Sequence, residues 1–122
     1  MKEGRENIVM NKSYAFAIRI VKLYKYLVSE KKEFVLSKQL LRSGTAIGAL
    51  IKESEHAQSK ADFINKMNVA LKEANESTYW LQLLKDSDFI NEKEFESIYS
   101  DCEELLKLLI SIVKSSKNSL KK

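Results

Sequence analysis

The chain reads as four stretches in which apolar residues recur at helical spacing, separated by short polar runs. The first stretch runs from about Lys12 to Val28, with Asn11 placed to cap the free amides at its start. Tyr14, Ala15, Ala17, Ile18, Val21, Tyr24 and Val28 are apolar there, as are Phe16, Ile20, Leu23, Tyr26 and Leu27, so more than one contact stripe is covered. One partner helix cannot bury them all. The narrow polar face that remains carries Lys12, Arg19 and Lys22, within roughly 80° of one another on a helical wheel.

After the polar run from Ser29 to Glu33, read as a short connection, the pattern resumes at Phe34 and continues through Leu36, Leu40, Ile47 and Ile51 toward Ala57. The middle of this second helix, Ser43-Gly44-Thr45-Ala46-Ile47-Gly48-Ala49, is rich in small residues. Interior glycines cost about 1 kcal/mol each relative to alanine but allow close helix approach, and close packing is the expectation, with a local kink as the alternative. A third segment begins near Ser59, where Ser59 and Asp62 have capping-box spacing with an acidic partner, and follows Phe63, Met67, Ala70, Leu71, Ala74, Thr78, Leu81 and Leu84 to about Lys85. Trp80, Tyr79 and Leu83 broaden its face. Asn91 and Glu94 give a second capping signal ahead of Phe95, Ile98, Cys102, Leu105, Leu109, Ile112 and Val113.

Four helices joined by short loops predict an all-α, up-and-down antiparallel bundle. With 122 residues the chain fits one domain, and its composition, 44% hydrophobic and 31% charged with three glycines and no proline, excludes a disordered tail or a fibrous repeat. The expected organisation is a flexible segment over 1–10, the bundle over 11–113 and a basic tail over 114–122. The opening residues lack the apolar run of a signal peptide and charges interrupt every candidate membrane span, so a cytoplasmic, non-membrane protein is expected. The lone Cys102 excludes an intramolecular disulfide framework.

The net charge of +4 conceals a division along the chain. Residues 11–57 carry nine basic and four acidic side chains, residues 58–113 carry six and eleven, and the last nine residues add Lys114, Lys117, Lys121 and Lys122. Such a split can steer the two hairpins together or neighbouring subunits together, or leave a basic surface for phosphate. Solvated helix faces and a soluble lysine tail are the plain alternative.

No residue pattern supports catalysis. His56 is the only histidine, no second cysteine exists, and an ordinary zinc site therefore lacks ligands. Cys102 falls on the apolar side of the fourth segment and reads as core. Glu103-Glu104 and the group Glu92, Glu94, Glu96 read as solvated surface rather than a cation site. No cofactor is implied. Arg42 and Glu53 lie about three turns apart on a similar face, too far to pair within one helix, so each is expected to cross to another helix or another subunit.

The run Gln39-Leu40-Leu41-Arg42-Ser43-Gly44-Thr45-Ala46-Ile47-Gly48-Ala49 strongly resembles the bacterial four-helix-bundle family that includes proteins encoded in intervening sequences of 23S ribosomal RNA genes, often labelled S23 ribosomal proteins. The resemblance continues through Ala57 to Phe63 and through Ala70 to Leu81, spanning roughly residues 12–113. Gln39, Arg42, Ile47, Ile51, Glu53, Asp62, Phe63, Glu73 and Tyr79 match the family pattern. Leu50 stands where an asparagine is usual and Lys52 where a small residue is common. The resemblance implies an up-and-down bundle assembled into a ring-like homopentamer. A related group that accompanies diversity-generating reverse transcriptases binds nucleic acid and the polymerase through basic oligomer surfaces.

The expected function is a non-enzymatic, homo-oligomeric binding or assembly module for RNA or DNA. Its candidate phosphate contacts are Lys12, Arg19, Lys22, Lys114, Lys117, Lys121 and Lys122; its candidate structural or interface positions are Arg42, Gly44, Gly48 and Glu53. A purely structural or protein-binding role without nucleic acid is the alternative.

Overall fold

Apolar residues spaced three and four apart build four helices in the computed structural model, which describes residues 4–120: α1 (Arg5–Ser29), α2 (Leu36–Ser54), α3 (Lys60–Asp86) and α4 (Glu92–Leu120). Each helix packs against the next in the chain and α1 closes against α4, with no diagonal contact among the described residues. This is the up-and-down antiparallel four-helix bundle. The α1–α4 seam is the least closely packed of the four. Along α1, Val9, Ser13, Phe16, Ile20, Leu23 and Leu27 are buried in a three-four alternation that turns one seam inward. Leu40, Ile47 and Ile51 meet it from α2, Met67, Ala74 and Leu81 from α3, and Ile98, Cys102, Leu105 and Leu109 from α4.

Helix α1 starts at Arg5, well ahead of the expected start, so residues 5–10 belong to the bundle rather than to a segment preceding it. The physical reason is Val9, which sits one heptad before Phe16 and is fully buried. Asn11 is an exposed residue inside the helix, not its cap. At the other end α4 continues to Leu120, with Ser116 still buried, so the first seven residues of the expected tail are helical.

The connection between α1 and α2 is more ordered than a polar run suggests. Glu33 is buried, and its carboxylate accepts the backbone amides of Val35, Leu36 and Ser37 at 3.0, 2.8 and 2.6 Å, while Ser37 Oγ donates to the Glu33 carbonyl. The side chain thus satisfies the amides that begin α2. In holding this turn it leaves Phe34, expected to open the buried pattern, largely exposed together with Val35. The expected caps at α3 and α4 are present: Ser59 Oγ accepts the Asp62 amide at 3.0 Å, Asp62 Oδ2 accepts the Gln58 amide at 3.1 Å, and Asn91 Oδ1 accepts the Glu94 amide at 2.8 Å.

The small-residue stretch runs as uninterrupted helix and serves close packing. A methyl group on Gly44 would stand 2.9 Å from Ile20 Cγ1, closer than carbon atoms tolerate, and one on Gly48 would stand 3.5 Å from the Ser13 carbonyl oxygen. On the opposite flank of α2, Ser43 Oγ and Ser77 Oγ share a buried hydrogen bond of 2.9 Å across to α3.

Candidate functional site

The division of charge along the sequence becomes a set of stitches between the two hairpins. Lys12 on α1 pairs with Glu104 on α4 at 3.1 Å, and Arg19 pairs with Asp101 at 2.8 Å and Glu94 at 3.8 Å. On the other flank Arg42 of α2 reaches Glu73 and Glu76 of α3 at 3.0 and 2.8 Å. These pairs are half-exposed, so each contributes at most about 1 kcal/mol. They orient one hairpin on the other more than they stabilise it.

Two of the expected phosphate contacts, Lys12 and Arg19, are therefore engaged within the chain. Lys22 is exposed and makes no ion pair with a described residue. Lys114 and Lys117 are exposed on the last turns of α4, and Lys121 and Lys122 lie outside the described residues. Since α4 rises about 1.5 Å per residue, Lys114 is about 35 Å from the start of that helix and so far from Lys22, but only about 15 Å along the helix from Glu104, the partner of Lys12.

Arg42 joins α2 to α3 through its two ion pairs. Hydrogen bonds to Glu73 and then Glu76 push the guanidinium pKa up. Glu76 is held below its usual range, first by the Trp80 Nε1–H bond at 3.0 Å and then by Arg42. Glu53 is exposed and has no ion pair among the described residues, so the two residues are not equivalent. Gly44 and Gly48 form the α1–α2 contact described above.

Among the described residues the bundle also leaves apolar surface exposed. Ile8, Tyr14, Ile18 and Val21 lie on the outward side of α1, with Tyr14 70% exposed. Beside them an apolar groove of about 310 Å³ runs between α1 and α2, with Gly48 at its floor and Met10, Tyr14, Ala17, Thr45 and Ala49 along its sides. Two helices, not one, pack on α1, and its apolar surface still exceeds what they cover.

A third feature lies at the opposite corner, where α1 meets the start of α4. Arg19, Lys22, Tyr26, Ile90, Asn91 and Glu94 enclose a cleft of about 470 Å³. Tyr26 is 45% exposed there. Tyr26 reads as part of the apolar pattern of α1, yet at about 100° per residue it falls about 40° from Lys22 and about 20° from Arg19. The helical wheel alone thus places it on the basic face.

The remaining candidates carry no site geometry. His56 is exposed just beyond α2, where its amide donates to the Glu53 carbonyl. Cys102 is fully buried, its thiol donates to the Ala74 carbonyl, and burial, then Glu103 and Asp101, push its pKa up to about 12. Among the described residues no group of three or more histidine, cysteine or acidic side chains is arranged to hold a metal ion. No helix among them is long and apolar enough to cross a membrane.

Fold and surface together define a small, ion-stitched four-helix bundle whose distinctive features are surfaces rather than a reaction centre. The chain belongs to the 23S rRNA-intervening sequence protein family, whose pattern matches residues 5–111. It is also similar to a crystallised protein of unknown function from the S23 ribosomal protein family of Bacteroides thetaiotaomicron VPI-5482, with 61% sequence identity and a TM-score of 0.90 over 91% of this chain and 99% of that one. No curated protein matches it.

Proposed function

We propose that the chain is a self-assembling helical-bundle module of the cytoplasm that binds RNA or DNA through basic surface on its α1–α2 half. The observation that carries the assembly is the unpartnered apolar face of α1, continuous with the groove floored by Gly48. Burial of apolar surface stabilises association by about 25 cal/mol per Å², and a second copy is the partner always present at matching concentration. The resemblance to ring-forming relatives points to five copies around a closed ring.

Nucleic-acid binding is supported by the cations the bundle leaves free. Lys22, Lys25, Lys31, Lys32, Lys38 and Lys52 are all exposed on the first hairpin and its turn, without ion pairs among the described residues. Against them stand the exposed Glu30 and Glu53, the half-buried Glu55 and the inward-turned Glu33. Phosphate contact through such lysines falls steeply with salt.

Light scattering after size-exclusion chromatography, at low and physiological salt with absorbance at 260 and 280 nm, tests both parts. A stable oligomer that carries nucleic acid at low salt and releases it at higher salt supports the reading. A monomer at micromolar concentration refutes the assembly. A stable oligomer that never retains added RNA or DNA leaves the purely structural role.

A further inference from the structure

The cleft at the α1–α4 corner adjoins a second, smaller one. Tyr26, Ile90 and Asn91 wall both; Lys22 stands over the larger, of about 470 Å³, and Lys31 with Asp88 over the smaller, of about 250 Å³. Tyr26 is therefore a ring with open space on two sides, while Ile90, only 7% exposed, gives the larger cleft an apolar floor. An aromatic face beside an exposed cation is the arrangement on which unpaired bases stack, and it accepts any base because every base has a π-face.

We propose, resting on the nucleic-acid reading above, that this cleft seats one unpaired base of single-stranded RNA or DNA against Tyr26, with Lys22 neutralising the adjacent phosphate. Three observations converge on it. The volume of the larger cleft suits a planar group of nucleotide size, at the lower end of the range for small-ligand pockets. Lys22 lies four residues before Tyr26, one turn away on the same face, and has no ion pair among the described residues. Asn91 Oδ1 is occupied by the Glu94 amide, which leaves its side-chain N–H groups to donate to an acceptor on a base edge.

The surrounding charges define which cation acts. Arg19 is held by Asp101 and Glu94, so it forms a wall whose charge is already answered, and Glu94 is answered with it. Asp88 offsets Lys31 in the smaller cleft. Lys22 is left as the phosphate contact, and the strand enters from the side of the larger cleft.

The test is fluorescence anisotropy with labelled oligothymidylate and oligouridylate of about 12 nucleotides, within the usual site size of single-strand binders. Wild type, Tyr26→Leu, Tyr26→Phe, Lys22→Gln and the pair Lys114→Gln/Lys117→Gln are compared between about 50 and 200 mM salt. Tyr26→Leu is expected to weaken binding about tenfold, and Tyr26→Phe to retain it, since the ring is kept. Lys22→Gln is expected to lower the salt slope by about 0.7, the value for one phosphate contact on a single strand. The tail pair, about 35 Å away, leaves the base contact unchanged.

Wild-type protein that binds neither strand at low salt overturns the nucleic-acid reading itself. Salt-sensitive wild-type binding that Tyr26→Leu leaves intact overturns the Tyr26 seat alone. Displacement of the strand by an equal concentration of uridine monophosphate overturns the strand reading in favour of a mononucleotide site. Loss of assembly in Tyr26→Leu, read by light scattering, overturns it in favour of a contact between copies.

Discussion

Gly44 and Gly48 sit one turn apart on the same helix, yet alanine is expected to act in opposite directions at the two. Either substitution removes an interior helical glycine, which favours the folded state by about 1 kcal/mol. At Gly48 the added methyl meets the Ser13 carbonyl oxygen at 3.5 Å, an ordinary contact, so most of that gain survives. At Gly44 it meets Ile20 Cγ1 at 2.9 Å and Cγ2 at 3.1 Å. Ile20 is fully buried and cannot swing aside, and overpacking of this kind costs about 1–3 kcal/mol. The net expectation is a gain of about 0.5–1 kcal/mol for Gly48→Ala and a loss of about 1 kcal/mol for Gly44→Ala. Urea unfolding followed by helical circular dichroism and by the single Trp80 resolves the two. It is run at one protein concentration, because association would otherwise shift the apparent stability. In thermal melts the separation is several degrees, at about 3–5 °C per kcal/mol for a chain of this length. Placing Gly44→Ala on Ile20→Ala reverses its sign, because the methyl then occupies part of the space vacated. The close α1–α2 contact is refuted if Gly44→Ala is as stable as Gly48→Ala, or if the Ile20→Ala background does not change its effect.

Three further outcomes follow from the geometry. Burial would raise the Glu33 pKa, but the amides of Leu36, Ser37 and Val35 and the Ser37 side chain outweigh it and hold the carboxyl below its usual value. The associated stability is present above the unfolded carboxylate pKa and is lost as pH falls through the lower folded value; Glu33→Ala costs about 1–2 kcal/mol at neutral pH and flattens that part of the acid unfolding curve. The Cys102 thiol, pushed up to about 12, stays unreactive toward a disulfide reagent at pH 8 in the folded protein and titrates fully in urea; rapid native labelling would contradict its burial. Ile18→Glu and Tyr14→Glu place charge on the free face of α1 and are expected to shift the light-scattering mass to that of a monomer without loss of helix content, whereas an unchanged mass would show that this face is not the contact.

The fold was largely legible because local signals agreed with it. Ser59 with Asp62 and Asn91 with Glu94 marked two helix starts whose caps form within four residues, and such contacts need no knowledge of tertiary structure. Glu33 was not legible, since a carboxylate in a run of lysines and glutamates reads as solvated, and only the turn brings three amides onto it. The start of α1 was not legible, since Asn11 has the chemistry of a cap and the burial of Val9 comes from tertiary packing that local sequence does not show. Lys12 and Arg19 share one polar face of the helical wheel, but their partners Glu104 and Asp101 lie more than eighty positions away. A census of charge cannot give the register that joins them. The Tyr26 cleft was half legible: the basic face was visible, while Ile90 and Asn91 come from a different hairpin.

The direction of the four helices gives the molecule a top and a bottom. With α1 rising and α4 descending, Gly4 and Leu120 lie at one end, while the α1–α2 and α3–α4 turns lie at the other, beside Tyr26. Anchoring the protein by a handle at either end of the chain therefore holds it by its base, with the turn-bearing end presented to the medium. In a ring whose copies all point the same way, every turn-bearing end opens on one rim, and a surface-tethered assembly displays that rim alone.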